Sequence, residues 1–104
     1  MSVCKFLPLA ALLLFAGSAS AQTVPGALDV PHADLDLTKE ADAGTMIDRL
    51  AHATIVACNK FEFIAARRCS IQVIAKSVVT LNQPVLSKIY AQRYGIAPEK
   101  LVTP

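Results

Sequence analysis

Two cysteines, Cys58 and Cys69, stand eleven positions apart in the body of the chain, and a third, Cys4, lies near its start. Cysteine chemistry divides by spacing and by compartment. Thiol–disulfide exchange uses a C-x-x-C pair, and a zinc site needs Cys and His at ligand spacing. Neither pattern is present, because His32 and His52 are set apart from both cysteines. A free thiol pair belongs to a reducing cytosol, whereas an even pair in an exported chain reads as a structural disulfide. The assignment of Cys58 and Cys69 therefore turns on whether the chain is exported and whether Cys4 is removed.

Other side chains with chemical potential are few. Asp34 and Asp36 alternate with apolar residues and would share one face of a strand, but calcium takes about six or more oxygen ligands and only these two are local. They read as a solvated acidic face leading into a helix. His52 follows Asp48 by four positions, the spacing of an exposed helical contact. A general base would need a nucleophile and an orienting group converging on it, and neither can be located. Arg67 and Arg68, with Lys60 nearby, form a small basic patch able to touch phosphate groups or acidic envelope polymers; three cations otherwise serve as a solvated face. Phe61 and Phe63, two apart in the connector, either cap the core or form an exposed contact, and capping is the favoured reading because a small domain needs its large apolar groups there. Glycine-rich phosphate loops, zinc spacings and the G-x-S-x-G pattern are absent, so no catalytic residue, metal ligand or cofactor is assigned.

Behind these residues stands a chain of 104 residues, 54% hydrophobic and 17% charged, with formal net charge +2. That length suits one small domain. The charge excludes nucleic acid as a partner by composition, because such binding needs a clustered basic surface. The apolar excess is concentrated in residues 1–21, which read as a secretory signal. Lys5 supplies the positive start, residues 6–16 an apolar run, and Ala19-Ser20-Ala21 the small residues that a signal peptidase accepts. The run has about half the roughly 20 apolar residues that span a bilayer. Cleavage is expected between Ala21 and Gln22. Cys4 then leaves with the signal and Cys58–Cys69 remains as a disulfide in a periplasmic or secreted product. Glu62, Arg67, Arg68, Lys76 and Lys88 interrupt every later apolar run, so no membrane span is expected in the mature form.

The fold class read from periodicity is mainly α: a small disulfide-stapled helical hairpin, a third short helix, and an extended or short-strand N-terminal arm. The arm covers residues 22–37, where Pro25, Gly26 and Pro31 disfavour helix and Ala33-Asp34-Leu35-Asp36-Leu37 has a period of two. Thr38 suits an N-cap, and a first helix over 39–58 carries Ala43, Ile47, Leu50, Thr54 and Ala57 on one stripe. Asn59 is its expected left-handed stop. Residues 59–64 read as a connector. A second helix over 65–81 has Ile71, Ile74, Ala75, Val78 and Leu81 on its stripe, with a strand over Val78-Val79-Thr80 as the alternative that β-branching raises. Pro84 opens a third helix that Gly95 stops. Residues 38–95 make the helical domain, and 96–104 a flexible tail. Cys58 and Cys69 then sit where a helical hairpin brings its backbones close, and their loop is worth about 3 kcal/mol in the chain-entropy treatment.

The ordered set formed by the Ala33-Asp34-Leu35-Asp36-Leu37-Thr38 arm, a helix ending in Cys58, Ala66-Arg67-Arg68-Cys69, and Val79-Thr80-Leu81-Asn82-Gln83-Pro84-Val85-Leu86 resembles the UrcA family of small exported proteobacterial proteins. The likeness runs over about residues 33–94. The chain departs from the family at Cys58-Asn59, where Cys-Gly is usual, and at Pro25 and Pro31, which interrupt a smoother arm. The resemblance implies an exported helical domain with a disulfide, and it brings no biochemical activity.

Two functions follow as expectations. The first is an exported, non-enzymatic accessory or interaction protein of the bacterial envelope, with an envelope or extracellular protein as partner. The alternative is an exported ligand- or metal-binding protein using the acidic arm, His32 and His52. Mass analysis of the N-terminus of exported material should give a start at Gln22; a mature chain beginning at Met1 would refute the processing.

Overall fold

The computed structural model describes residues 24–102. The expected signal peptide 1–21, its cleavage after Ala21, the start of the arm and residues 103–104 lie outside the described residues. Four helices follow the arm: α1 Glu40–Ala57, α2 Phe63–Leu81, α3 Pro84–Tyr94 and α4 Glu99–Val102. There is no strand among the described residues. The fold is mainly α, with Cys58 and Cys69 bridged across the α1–α2 hairpin and their Cα atoms 5.9 Å apart.

Helix α1 starts one residue later than Thr38 would have it. Lys39 is the N-cap and offers no side-chain cap bond. The Thr38 hydroxyl donates instead to Asp36 Oδ1 at 2.6 Å, and the Thr38 amide donates to the same oxygen at 3.1 Å. Asp36 thus folds the chain back on itself in an Asx turn, a local alternative to capping that short polar side chains favour. Asp42, in the first turn of α1, accepts the Asp36 amide at 2.8 Å, which ties that turn to the helix entrance. Glu40 and Asp42 also place negative charge at the positive end of the helix.

The helix ends follow backbone chemistry. Asn59 is not the left-handed stop of α1: Cys58 is its C-cap with φ −108°, and its amide donates to Thr54 O at 2.8 Å. The left-handed asparagine is Asn82, φ 52°, closing α2. Asparagine tolerates this conformation better than most residues with a Cβ. Gln83, ahead of Pro84, is extended as the proline ring requires, Pro84 sits in the first turn of α3, and Gly95 ends it with φ 76°. The Val78-Val79-Thr80 run is helical, because Val78 is fully buried against the core and its packing outweighs a modest propensity cost.

The core lies between α1, α2 and α3. Ala43, Met46, Ile47 and Leu50 of α1 meet Ile74, Ala75 and Val78 of α2 and Leu86, Ile89 and Tyr90 of α3. The Tyr90 hydroxyl donates to Ile71 O at 2.9 Å, and burial, with Tyr94 beside it, pushes its pKa up to about 12. Val73 and Ser77 lie off the stripe expected for α2 yet are buried, because the arm covers them. Val24 and Leu28 pack on the Cys58, Cys69 and Val73 cluster. The Leu28 amide donates to Ser77 Oγ at 2.9 Å, and Lys76 Nζ reaches Pro25 O at 3.1 Å. Pro25 and Pro31 have no amide hydrogen to contribute to a ladder, so the arm is held by side chains rather than by a strand partner.

The expected flexible tail is also corrected. Pro98 is fully buried, Ile96, Leu101 and Val102 pack on the core, and α4 lies against α2. A short apolar cluster is enough to seat this turn of helix although it has no period long enough to show in sequence.

In denaturant melts of the oxidised protein, Leu50→Ala should cost about 2–5 kcal/mol through the cavity it leaves. His52→Ala, on the exposed face of α1, should stay within about 0.5 kcal/mol. Equal losses at the two sites would mean that α1 is in the wrong helical phase.

Candidate functional site

The α1–α2 turn presents two different surfaces. On one side the disulfide is covered: Cys58 and Cys69 are 3% and 1% exposed, with Phe61, Val24 and Leu28 packed over them. A sulfur pair so enclosed is closed to thiolate attack, which fits a structural role. The other surface is open. Val56 is 72% exposed and Phe63 91%, with Ile55 and Ile64 both at 66%. These are the last turn of α1 and the first turn of α2.

The two phenylalanines therefore separate. Phe61 caps the disulfide cluster as expected, whereas Phe63 does not cap the core. Helix α2 begins at Phe63 instead of within the expected 65–81 span, so Phe63 and Ile64 are its first helical residues, and both are exposed. Arg67 and Arg68, one turn further along α2, and Lys60 in the turn are exposed and enter no ion pair among the described residues. Glu62 is the one carboxylate in this segment. An open groove between the helices is lined by Ile55, Phe61, Ala66, Arg67 and the hydroxyls of Thr54 and Ser70, which hydrogen-bond each other. Two hydroxyls bonded to each other, with no base beside them, are packing elements of the hairpin.

The other sequence candidates are dispersed. Asp34 is bound by Arg49 through two parallel bonds of 2.9 and 2.7 Å, and the same guanidinium donates to Pro31 O at 3.0 Å. This fork-to-fork pairing holds the Asp34 carboxyl down at about 2. Its neighbour Asp36 is also lowered, chiefly by the Thr38 hydroxyl. His32 Nδ1 lies 2.9 Å from Val30 O in its own arm. Asp48 does not turn to His52. It accepts Arg93 Nη1 of α3 at 2.6 Å, while Arg93 Nη2 donates to Gly44 O at 3.3 Å. A cation arriving from another helix, with a backbone carbonyl to anchor it, displaces the local four-residue contact. Among the described residues no three His, Cys, Asp or Glu side chains come together as a metal-binding group.

Sequence reasoning held an exposed Phe63 only as the lesser alternative and missed Ile55, Val56 and Ile64, although a signal was present. Ile55 and Val56 fall off the stripe that Ala43, Ile47, Leu50 and Thr54 define. Large aliphatic residues off a helix's buried stripe mark a second face. No family model, curated protein or solved structure matches the chain.

A carboxyl that titrates lower in the folded chain than in the unfolded one adds stability above its unfolded value and loses it as the pH falls through the folded value. For Asp34 that window runs from the ordinary aspartate value of 3.8 down to about 2. NMR titration should place the Asp34 midpoint near 2 and return it toward 3.8 in Arg49→Ala. An unchanged midpoint in that variant would refute the pairing.

Proposed function

We propose that this chain is an exported, non-enzymatic interaction protein of the bacterial envelope that acts through contact at the open end of its helical hairpin. The observation that carries the reading is the apolar face of Ile55, Val56, Phe63 and Ile64 standing beside a fully covered disulfide. Four large apolar side chains left in water at the two helix ends that meet at this turn suit a surface that meets a partner. A disulfide in a small domain suits an oxidising compartment, and no described helix is long and apolar enough to cross a membrane. Export follows from the signal-like residues 1–21, with the product periplasmic or secreted, and the ordered motifs keep the likeness to the UrcA family as a proposal of kinship.

The metal-binding alternative draws no support from geometry. Its acidic arm is committed, Asp34 to Arg49 and Asp36 to Thr38, and its histidines stand on different segments. The partner reading requires only the exposed face and the rigid hairpin behind it. Arg49 on Asp34, Arg93 on Asp48 and Lys88 on Glu40 hold the arm and α3 onto α1 and leave the hairpin end uncovered.

Calorimetric titration of the mature oxidised protein with zinc, copper and calcium should show no saturable heat at micromolar metal. Saturable heat that disappears in His32→Ala or His52→Ala would favour the metal-binding alternative and overturn this reading.

A further inference from the structure

We propose that the hairpin end docks on an anionic lipid surface, with Phe63 and Ile64 entering the headgroup–acyl boundary and Lys60, Arg67 and Arg68 meeting lipid phosphates. The inference rests on the export reading and deepens it by naming the partner. Phe63 and Arg67, and likewise Ile64 and Arg68, are four residues apart on α2, so each apolar side chain has a cation on the same face one turn farther from the tip. That separation is about 6 Å along the axis. With the hairpin end toward the lipid, Arg67 and Arg68 stand about 6 Å behind Phe63 and Ile64, within reach of the phosphates above the apolar side chains. Ile55 and Val56 add apolar area at the same end of the hairpin.

Charge decides among the possible occupants. Lys60, Arg67 and Arg68 are free of ion pairs among the described residues, and Glu62 is the only opposing charge in the segment. A second copy docked tip to tip would set two such cation groups against each other. An anionic surface neutralises them all at once.

The test is co-sedimentation of the mature oxidised protein with vesicles of phosphatidylglycerol in phosphatidylcholine and of phosphatidylcholine alone. Wild type should sediment with the anionic vesicles and not with the neutral ones, and should be released as salt rises, since salt screens the phosphate contacts. Arg67→Gln with Arg68→Gln should lower the lipid affinity by roughly 25-fold, at about fivefold for each cation removed near such a surface. Phe63→Ser with Ile64→Ser should lower it by about tenfold or more through the apolar area no longer buried. Lys39→Gln, at the far end of α1, should change it little. All four positions in the paired variants are exposed, and unchanged circular dichroism melts will confirm that the fold is kept. Equal binding to neutral vesicles, or wild-type binding by both paired variants, would overturn the proposal. So would light scattering that shows a dimer broken by the Phe63 and Ile64 changes, which would assign the face to a second copy. Absent vesicle binding by a chain that is correctly processed to Gln22 would overturn the lipid partner and leave the export reading standing.

Discussion

Joining Cys58 to Cys69 fixes the end of α1 against the second turn of α2, and the rest of the chain is arranged on the hairpin so formed. A domain of about 80 residues removes only about 60–65% of its unfolded surface from water, so its margin of stability is thin. Closing the loop between the cysteines contributes about 3 kcal/mol, a large share of such a margin. Phe61 of the short connector folds back over the bridge, while Phe63 and Ile64, the first residues of α2, stay in solvent.

Away from the hairpin end, α3, α4 and the arm cover the two helices. Helix α3 fills one side with Leu86, Ile89 and Tyr90, and α4 with Pro98 seals another part of α2. The arm supplies the last cover through Leu28, Val30 and Leu35, with Leu37 buried at its end. The arm lacks ladder bonds, so its polar groups are met by Ser77, Lys76 and Arg49. No buried side-chain nitrogen or oxygen among the described residues is left without a partner. That matters because a single orphaned group would cost about 1–3 kcal/mol. Three cross-helix or arm-to-helix ion pairs add orientation more than stability, since exposed pairs are worth about 0–1 kcal/mol each.

A domain built this way separates what must be rigid from what must be available. The charged contacts Arg93 to Asp48 and Lys88 to Glu40 run between α1 and α3, well along α1 from the turn. Three cations that enter no ion pair among the described residues, Lys60, Arg67 and Arg68, stand at the turn, on the segment that carries the exposed Phe63 and Ile64.

Much of this was legible in the residues themselves. Alternation and spacing put Ala43, Ile47, Leu50 and Thr54 on the buried stripe of α1 and Ile74, Ala75 and Val78 on that of α2, and the structure agrees. Proline and glycine chemistry placed both ends of α3, because fixed and positive φ angles are local properties. The disulfide followed from an even cysteine pair flanking a turn. Tertiary structure decided which of several available partners each group takes. Asp48 has His52 at helical spacing but binds Arg93, Thr38 bonds Asp36 instead of capping α1, and Ser77 and Val73 are buried only because Leu28 lies over them. Local sequence sets the backbone because φ, ψ and propensity act within a few residues. Contacts such as Leu28 to Ser77, 49 positions apart, are settled only when the whole chain has packed, and so the exposure of Phe63 emerges from the fold rather than from its own surroundings in sequence.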